Sequence, residues 1–212
     1  MNYSTEQESF WAGEFGSDYI QRNKGANSVA ANTALFAKAL RRVASLHSVI
    51  EFGANIGLNL RAIRNLFPEA ALNALEINGK AIKELEAHFS STQDPFWGGA
   101  YHSSILEWSP ESTWELSLIK GVLIHIHPDH LTTVYDQLYN SSRKYILMAE
   151  YYNPSPVSVN YRGHEDRLFK RDFAGEIMDR YSDLNLIDYG FAYHRDPVWP
   201  QDDITWFLME KK

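Results

Sequence analysis

Short apolar runs alternate with amphipathic helical segments from Val49 to Glu150, and this alternation limits the possible fold more than any other feature. The apolar runs predict strands at 48–52, 71–77, around 98–105, within 115–124 and at 144–152. The periodic segments between them predict helices at 58–67, 79–89 and 128–139. Strands separated by helices of this length need right-handed crossovers, so we predict a mostly parallel sheet covered on both faces.

The segments on either side of this region extend the pattern. Residues 28–44 predict a long helix that leads into the first strand, and residues 172–181 predict a further helix. Residues 184–194 and 203–211 have the alternation of a closing pair of strands. The chain contains no internal repeat and no low-complexity linker, which favours one α/β domain.

Composition excludes several classes of protein. The 212 residues suit one domain, and a hydrophobic content of 44% is ample for a core. A formal charge of −7 argues against nucleic acid as a partner, and the lack of cysteine excludes disulfides and thiolate sites. The N-terminus does not have the pattern of a signal peptide, and no apolar run approaches the roughly 20 residues that span a bilayer. We therefore expect a cytoplasmic protein without membrane partners.

The segment VIEFGANIGLNL, residues 49–60, joins the first strand to the first crossover helix. Gly53 and Gly57 let the backbone approach a ligand at the carboxyl edge of a parallel sheet. Their spacing is G-x-x-x-G, with Asn55 where a dinucleotide-binding loop has its second glycine, and no G-K-[ST] follows. The loop therefore predicts a small-molecule site that is neither a dinucleotide fingerprint nor a phosphate loop. The alternative is a tight turn without a ligand.

A carboxylate, Glu76, stands at the end of the second predicted strand. A carboxylate at this point can accept hydrogen bonds from both hydroxyls of a ribose. Taken alone, it could equally be a solvated strand end. Its agreement with the glycine loop favours binding of a nucleoside.

These motifs resemble the signature of class I S-adenosylmethionine-dependent methyltransferases, usually written E/D-x-G-x-G-x-G and followed by an acid at the end of the next strand. The segment SSIL at 103–106 falls where that family contacts adenine, although Ser104 stands where an acid is usual. The segment KGVLIHI at 120–126 resembles the motif after the fourth strand. The resemblance implies a Rossmann-like, mostly parallel seven-stranded sheet with an antiparallel closing strand and helices on both faces.

The same resemblance implies S-adenosyl-L-methionine as the cofactor. The residues expected to bind it are Glu51, Gly53, Asn55, Gly57, Asn59, Glu76, Ile77, Ser104, Ile105, Lys120, Gly121 and Val122, together with Tyr19 and Arg22 of the N-terminal segment.

A narrower resemblance covers nearly the whole chain, through segments 10–23, 149–157, 161–176, 188–197 and 201–211. Together they look like the methyltransferases associated with pseudaminic acid biosynthesis, which implies a sugar acceptor less strongly than it implies methyl transfer.

This likeness suggests a division of the single domain 1–212. We expect N-terminal cap helices at 1–45, a cofactor-binding core at 46–151, an acceptor-site insertion or lid at 152–181 and a C-terminal strand pair at 182–212.

The segment 150–173 is non-periodic and rich in aromatic residues and cations. Because it follows the fifth strand, we predict that it forms a lid over the acceptor, with rigid aromatic walls and arginines suited to a carboxylate or phosphate. The alternative is a solvated loop whose cations pair with neighbouring acids. The residues predicted to bind an anionic acceptor are Tyr151, Tyr152, Asn153, Tyr161, Arg162 and Arg171.

The leader 10–23 is a second predicted cap, in which Trp11 faces the acceptor and Arg22 is available for the methionine carboxylate. It could instead be a helix docked onto the core by its aromatic residues. His125 is the better candidate for a general base and His127 the second, since imidazole titrates near neutral pH. Against a catalytic role, His125 could be a packed, hydrogen-bonded residue.

We predict His125 and Tyr152 as catalytic residues. No H-E-x-x-H or similar motif is present, so no metal is predicted.

The sequence thus predicts methyl transfer to an oxygen or nitrogen of a small, anionic metabolite, such as a nonulosonic sugar or a related natural-product intermediate, by a monomer or homodimer. Two alternatives remain: a non-catalytic nucleoside-binding scaffold, and a nicotinamide dehydrogenase that the glycine spacing disfavours.

Overall fold

The structure is a computed structural model that describes residues 3–22, 25–161 and 164–212, with the backbone alone at residues 21, 22, 26, 161 and 164–167. The helices are Glu6–Ala12 (α1), Glu14–Arg22 (α2), Ala26–Ala39 (α3), Leu58–Leu66 (α4), Gly79–Ser91 (α5), Leu131–Ser141 (α6) and Phe173–Arg180 (α7). The strands are Ser48–Phe52 (β1), Ala71–Glu76 (β2), Trp97–His102 (β3), Trp114–Lys120 (β4), Ser142–Glu150 (β5), Val157–Tyr161 (β6), His164–Lys170 (β7), Leu184–Ala192 (β8) and Ile204–Lys211 (β9).

Seven strands form one sheet in the order β3-β2-β1-β4-β5-β9-β8. Strands β1 to β5 pair in parallel, whereas β9 pairs antiparallel with both β5 and β8. The sheet is therefore mostly parallel with one antiparallel strand near its end, which confirms the predicted fold. The carboxyl ends of β1, β2 and β4 lie side by side, where such sheets bind ligands.

Helices cover both faces of the sheet because its central strands bury side chains on both sides. Helices α3, α4 and α5 contribute to one core cluster, to which α4 adds Leu60 and Ile63. Helices α6 and α7 contribute to the second, to which α6 adds Val134 and Leu138. Each buried aliphatic side chain of this kind stabilises the fold by roughly 1.5–3 kcal/mol.

The N-terminal region contains the helices α1 and α2; α1 begins with a capping box between Thr5 and Glu8, and Gly13 is its C-cap. One local feature differs from the predictions. The predicted helix over 28–44 ends at Ala39, and the two arginines that follow it, Arg41 and Arg42, lie 2.8 and 3.4 Å from the carboxylate of Asp188 on β8.

The non-periodic segment after β5 contains a hairpin of β6 and β7. Leu168 of β7 is buried in the second core cluster, and the ring of Phe169 lies 5.8 Å from that of His127. The hairpin is therefore packed onto the body of the domain. Among the helices of the described residues, none has the length and apolar character needed to cross a membrane.

Candidate cofactor site

A cavity of about 380 Å³ lies at the carboxyl ends of β1, β2 and β4 and is roofed by α1 and α2. This volume is within the range of small-molecule sites. It brings together most of the residues predicted to bind a cofactor. The predicted residues that line it are Trp11, Tyr19, Gly53, Asn55, Asn59, Glu76, Ile77, Ser104, Ile105, Lys120, Gly121, Val122 and His125.

The glycine loop has a left-handed backbone at three positions. The φ angles are 71° at Gly53, 49° at Asn55 and 77° at Gly57. A Cβ atom on Gly53 would lie 2.5 Å from Cγ2 of Val122, so this position also needs glycine for space. Asparagine tolerates the left-handed region better than most residues, which explains why Asn55 can stand where other loops have glycine.

Glu76 is held by two loops, the one after β1 and the one after β2. Its Oε2 accepts a hydrogen bond from the backbone N–H of Asn55 at 2.7 Å, and its Oε1 accepts from that of Asn78 at 2.7 Å. Burial raises the pKa of Glu76, and these hydrogen bonds partly oppose the shift. Because a carboxylate has about four lone-pair sites, Glu76 keeps capacity for a further donor.

Buried side-chain oxygens lie at the lining of the cavity and directly behind it. Nδ2 of Asn59 donates to Oε1 of Glu51 at 2.6 Å, while Oε2 of Glu51 has no hydrogen-bond partner among the described residues. The side-chain oxygens of Asn55 and Asn59 are likewise buried without a donor in that part of the chain. Burial raises the pKa of Glu51 to about 8 and lowers that of Lys120. The unpartnered side-chain oxygens of Asn55 and Asn59, two residues that line the cavity, suit a ligand that carries N–H donors.

The N-terminal helices are fixed over the cavity by Asn78, which also caps α5. Its Nδ2 donates to the backbone oxygen of Trp11 at 3.0 Å, and its Oδ1 accepts from the N–H of Lys80 at 2.9 Å. The Trp11 ring lies edge-on to Tyr19 at 5.3 Å and 4.6 Å from the ring of His125. Trp11 therefore links the roof to the opposite wall, whereas the side chain of Arg22 lies outside the described residues.

That opposite wall carries histidines on the turn after β4. His125 is buried in a short 3-10 helix, and His127 and His130 follow on the next one. All three line the cavity, and the rings of His127 and His130 are 6.2 Å apart. The structure thus places both histidines predicted as candidate bases at the cavity and adds His130.

Several lining residues escaped the sequence analysis. Glu8 on α1 and Asn32 on α3 come from the N-terminal region, and Gln201 and Asp202 come from the loop between β8 and β9. Nε2 of Gln201 donates to Oδ1 of Asn32 at 3.0 Å, which joins that loop to α3. The pattern Thr5-x-x-Glu8 predicts a helix start, but no local signal indicates that these side chains meet a cavity.

Two predicted cofactor residues do not line the cavity themselves. Glu51 lies behind Asn59, fully buried. Gly57 begins α4, and a Cβ there would lie 3.2 Å from Leu85, so its role is to let the helix start close to α5.

The predicted acceptor wall is also placed differently. Neither Tyr151, Tyr152, Asn153 nor Arg171 lines the cavity. Arg171 is instead paired with Glu176 at 2.6 Å. Tyr152, predicted as catalytic, is 42% exposed with its ring 5.9 Å from Phe207. Tyr152 and Arg171 form an isolated parallel bridge at the base of the hairpin.

Two further residues of that wall cannot be placed. Arg162 and the side chain of Tyr161 lie outside the described residues.

Solved structures with the same fold come from several methyltransferases. Magnesium protoporphyrin IX methyltransferase from Synechocystis, with bound S-adenosylmethionine, has a TM-score of 0.70 at 9% identity over 100% of both chains. The 1,6-didemethyltoxoflavin N1-methyltransferase from Burkholderia thailandensis has a TM-score of 0.67 at 13% identity, covering 100% of this chain and 93% of that one. The N-methyltransferase NodS from Bradyrhizobium japonicum has a TM-score of 0.63 at 12% identity, covering 92% and 97%.

These likenesses show that the chain has the Rossmann-like fold of class I methyltransferases. No model of a protein family matches the chain, and no curated protein matches it in sequence.

Proposed function

We propose that this protein is an S-adenosylmethionine-dependent methyltransferase that acts on an oxygen or nitrogen of a small molecule. One observation carries the proposal: Glu76, at the end of β2, is a carboxylate that lines the cavity beside the left-handed glycine loop and keeps acceptor capacity. A ribose diol presents two donors at the spacing of one carboxylate, which is the complement of this arrangement.

The other polar groups of the cavity fit the remainder of that cofactor. The buried acceptor oxygens near Asn55 and Asn59 suit an ammonium group, and Lys120 on the wall suits a carboxylate. The apolar side chains of Ile77 and Ile105 suit the faces of a heterocycle. S-adenosylmethionine, when bound, supplies an electrophilic methyl group on a sulfonium.

The roof formed by α1 and α2 gives the chain a means to exclude water. Trp11 and Tyr19 pack edge to face over the cavity, and Asn78 ties their segment to the start of α5. A closed roof keeps the acceptor oriented and strengthens the electrostatic interactions inside the cavity.

We assign the acceptor side to the wall that carries His125. His125 lines this wall. It can take the proton from a hydroxyl or amine of the methyl acceptor while the lone pair of that oxygen or nitrogen forms the bond to the methyl carbon. His127, His130, Gln201 and Asp202 surround the same space. We assign the acceptor subsite to these residues, which replace the wall predicted in segment 150–173.

The charge of the methyl acceptor is a separate question from the position of its subsite. The proposal of an anionic acceptor, such as a nonulosonic sugar or a natural-product intermediate, is supported by the sequence resemblance alone. Arg171 no longer supports it, because its guanidinium is paired with Glu176.

Calorimetric titration with S-adenosylhomocysteine and S-adenosylmethionine tests the proposal. We expect micromolar binding of both and no binding of NAD. Absence of binding to the wild-type protein would overturn the proposed function. Binding without consumption of S-adenosylmethionine in the presence of a metabolite extract would instead favour a non-catalytic scaffold.

A further inference from the structure

The side chain of Glu8 is a buried carboxylate at the end of the cavity next to β3. It lies in the first turn of α1, is 7% exposed and lines the cavity together with Ser104 and Ile105. It reaches this place across a sequence separation of 96 residues. No lysine or arginine of the described part of the chain forms an ion pair with it.

The two oxygens of Glu8 have different surroundings. Oε2 accepts hydrogen bonds from the backbone N–H and the hydroxyl of both Ser4 and Thr5, at 2.7 to 3.1 Å. Oε1 accepts from the hydroxyl of Ser104. Oε2 is therefore saturated, whereas Oε1 keeps one lone pair for a further donor.

Ser104 donates its hydroxyl proton to Glu8, so Oε1 of Glu8 acts as a hydrogen-bond acceptor. Its Oγ accepts a hydrogen bond from the N–H of Leu106 at 3.0 Å, so its own proton is committed to Oε1 of Glu8. Burial acts to raise the pKa of Glu8, but the hydrogen bonds from Ser104, Ser4 and Thr5 outweigh burial and lower it. At neutral pH the group is a carboxylate that can only accept.

The position of Glu76 decides what would meet Glu8. A ribose on Glu76, with the rest of the cofactor extending to the glycine loop after β1, leaves the base to extend toward β3, the outer neighbour of β2. That end of the cavity has apolar walls at Ile77 and Ile105 and is closed by Glu8 and Ser104.

We propose that Glu8 accepts a hydrogen bond from the exocyclic amino group of adenine, so that the N-terminal helix makes the site specific for an amino-purine. This inference rests on the proposed function. A 6-oxo-purine would place a carbonyl oxygen against the free lone pair of Oε1, where neither partner can donate. Adenine specificity would then come from α1 rather than from the residue at position 104, whose hydroxyl only orients the carboxylate.

The replacement of Glu8 by glutamine tests the proposal directly, because the donors of Ser4 and Thr5 need an acceptor at the position of Oε2. The amide oxygen must keep the four donors of Ser4 and Thr5, which leaves the amide NH2 at the position of Oε1. A donor there would repel the amino group of adenine and favour a 6-oxo group. The capping box accepts glutamine as well as glutamate, so α1 should still form.

Calorimetry should compare S-adenosylhomocysteine with S-inosylhomocysteine, its 6-oxo analogue, on the wild type, Glu8→Gln and Glu6→Gln. Glu6 is an exposed acid in the same helical turn, so Glu6→Gln is the matched control. We expect the wild type and the control to prefer the adenosyl ligand by about 10- to 100-fold, as a hydrogen bond to a charged group gives. In Glu8→Gln the ratio should fall to near one or invert.

Three results would overturn the inference. One is a wild-type ratio near one, which is informative even if Glu8→Gln fails to fold. Another is an unchanged ratio in Glu8→Gln, and the third is an equal loss of both ligands in that variant, which would mean that Glu8 only holds the helix. Failure of the wild type to bind either ligand is a different result, because it overturns the proposed function itself.

Discussion

The backbone N–H of Asn55 donates a 2.7 Å hydrogen bond to Oε2 of Glu76. This contact joins the loop after β1 to the acid that ends β2, and it exists because Asn55 has a φ of 49°. The left-handed turn that brings the backbone close to a ligand is thus the same turn that orients the carboxylate. The two motifs act as one unit.

Replacement of Glu76 by alanine should weaken binding of S-adenosylhomocysteine by at least about 10-fold, because the ribose loses its acceptors and the N–H groups of Asn55 and Asn78 lose theirs. Calorimetry measures the change. Glu115 is the control: it is a buried acid at the start of β4 that accepts from the N–H of His47 at 2.9 Å, away from the cavity. An equal loss of affinity in Glu115→Gln would contradict the assignment of Glu76 to the cofactor site.

Gly53→Ala should destabilise the protein by more than Gly121→Ala does. Both glycines have positive φ, 71° and 66°, so each substitution carries about 1–2 kcal/mol of backbone strain. Only Gly53 faces a neighbour, since its added Cβ would lie 2.5 Å from Val122 while that of Gly121 would meet nothing within 4 Å. Thermal unfolding of the two variants isolates the steric contribution. An equal loss of Tm in Gly53→Ala and Gly121→Ala would show that the side chain of Val122 moves to accommodate the added methyl group.

Stability should fall as pH rises from about 4.5 to 8, and part of this fall should vanish in Glu51→Gln. Burial raises the pKa of Glu51 to about 8, so the folded state holds a proton that the unfolded chain releases above its ordinary pKa of 4.5. That contribution is complete below pH 4.5 and is lost as pH rises through 8, by at most about 1.4 kcal/mol per pH unit.

The facing groups that influence Glu51 are Asn59, Lys120 and Glu76. Glu150, whose pKa burial raises to about 7, retains its own contribution in the variant. Urea unfolding at several pH values measures the slopes. Identical slopes in the wild type and Glu51→Gln would contradict the assignment.

His125→Gln should lower kcat by about 100-fold or more if His125 is the general base, with little change in the affinity for S-adenosylhomocysteine. The measurement is release of S-adenosylhomocysteine at saturating acceptor, together with its pH profile. Tyr152→Phe serves as the comparison, since Tyr152 lies outside the cavity and should retain full turnover. The reverse order of effects would restore Tyr152 as the catalytic residue.

Arg171→Ala should reduce stability by about 1 kcal/mol without affecting use of the acceptor. Its guanidinium is 2.6 Å from Glu176, whose other oxygen accepts from the hydroxyl of Tyr135 at 2.7 Å, so the pair links the residue after β7 to α7 and α6. Arg180→Ala, which breaks a more exposed pair with Asp136, should cost less. A raised KM for the acceptor in Arg171→Ala alone would return this residue to the acceptor site.

Much of the fold could be predicted because periodicity is a local property. The strands of the parallel sheet and the helix that Pro68 stops follow from apolar runs and breakers within a few residues of each other. The loop with Gly53 and Gly57 and the acid Glu76 were equally visible, since backbone conformation and strand ends leave marks in short motifs.

The segment 150–173 shows where this reasoning stops. Its aromatic residues and arginines predicted an acceptor wall, yet four of its residues that the structure describes lie away from the cavity. Composition does not reveal that Arg171 meets Glu176 on α7, or that β6 and β7 pair as a hairpin packed beside His127.

Local patterns in the sequence suffice for the alternation of strands and helices from β1 to β5 and for the two motifs at the carboxyl edge of the sheet. Which polar side chains face the cavity follows only from the packing of the chain, as with Glu8 beside Ser104 and Gln201 beside Asn32. The difference comes from the distance along the chain over which each kind of interaction acts. Local propensity and periodicity act over one or two turns, whereas a site is closed by side chains that packing brings together from distant parts of the chain.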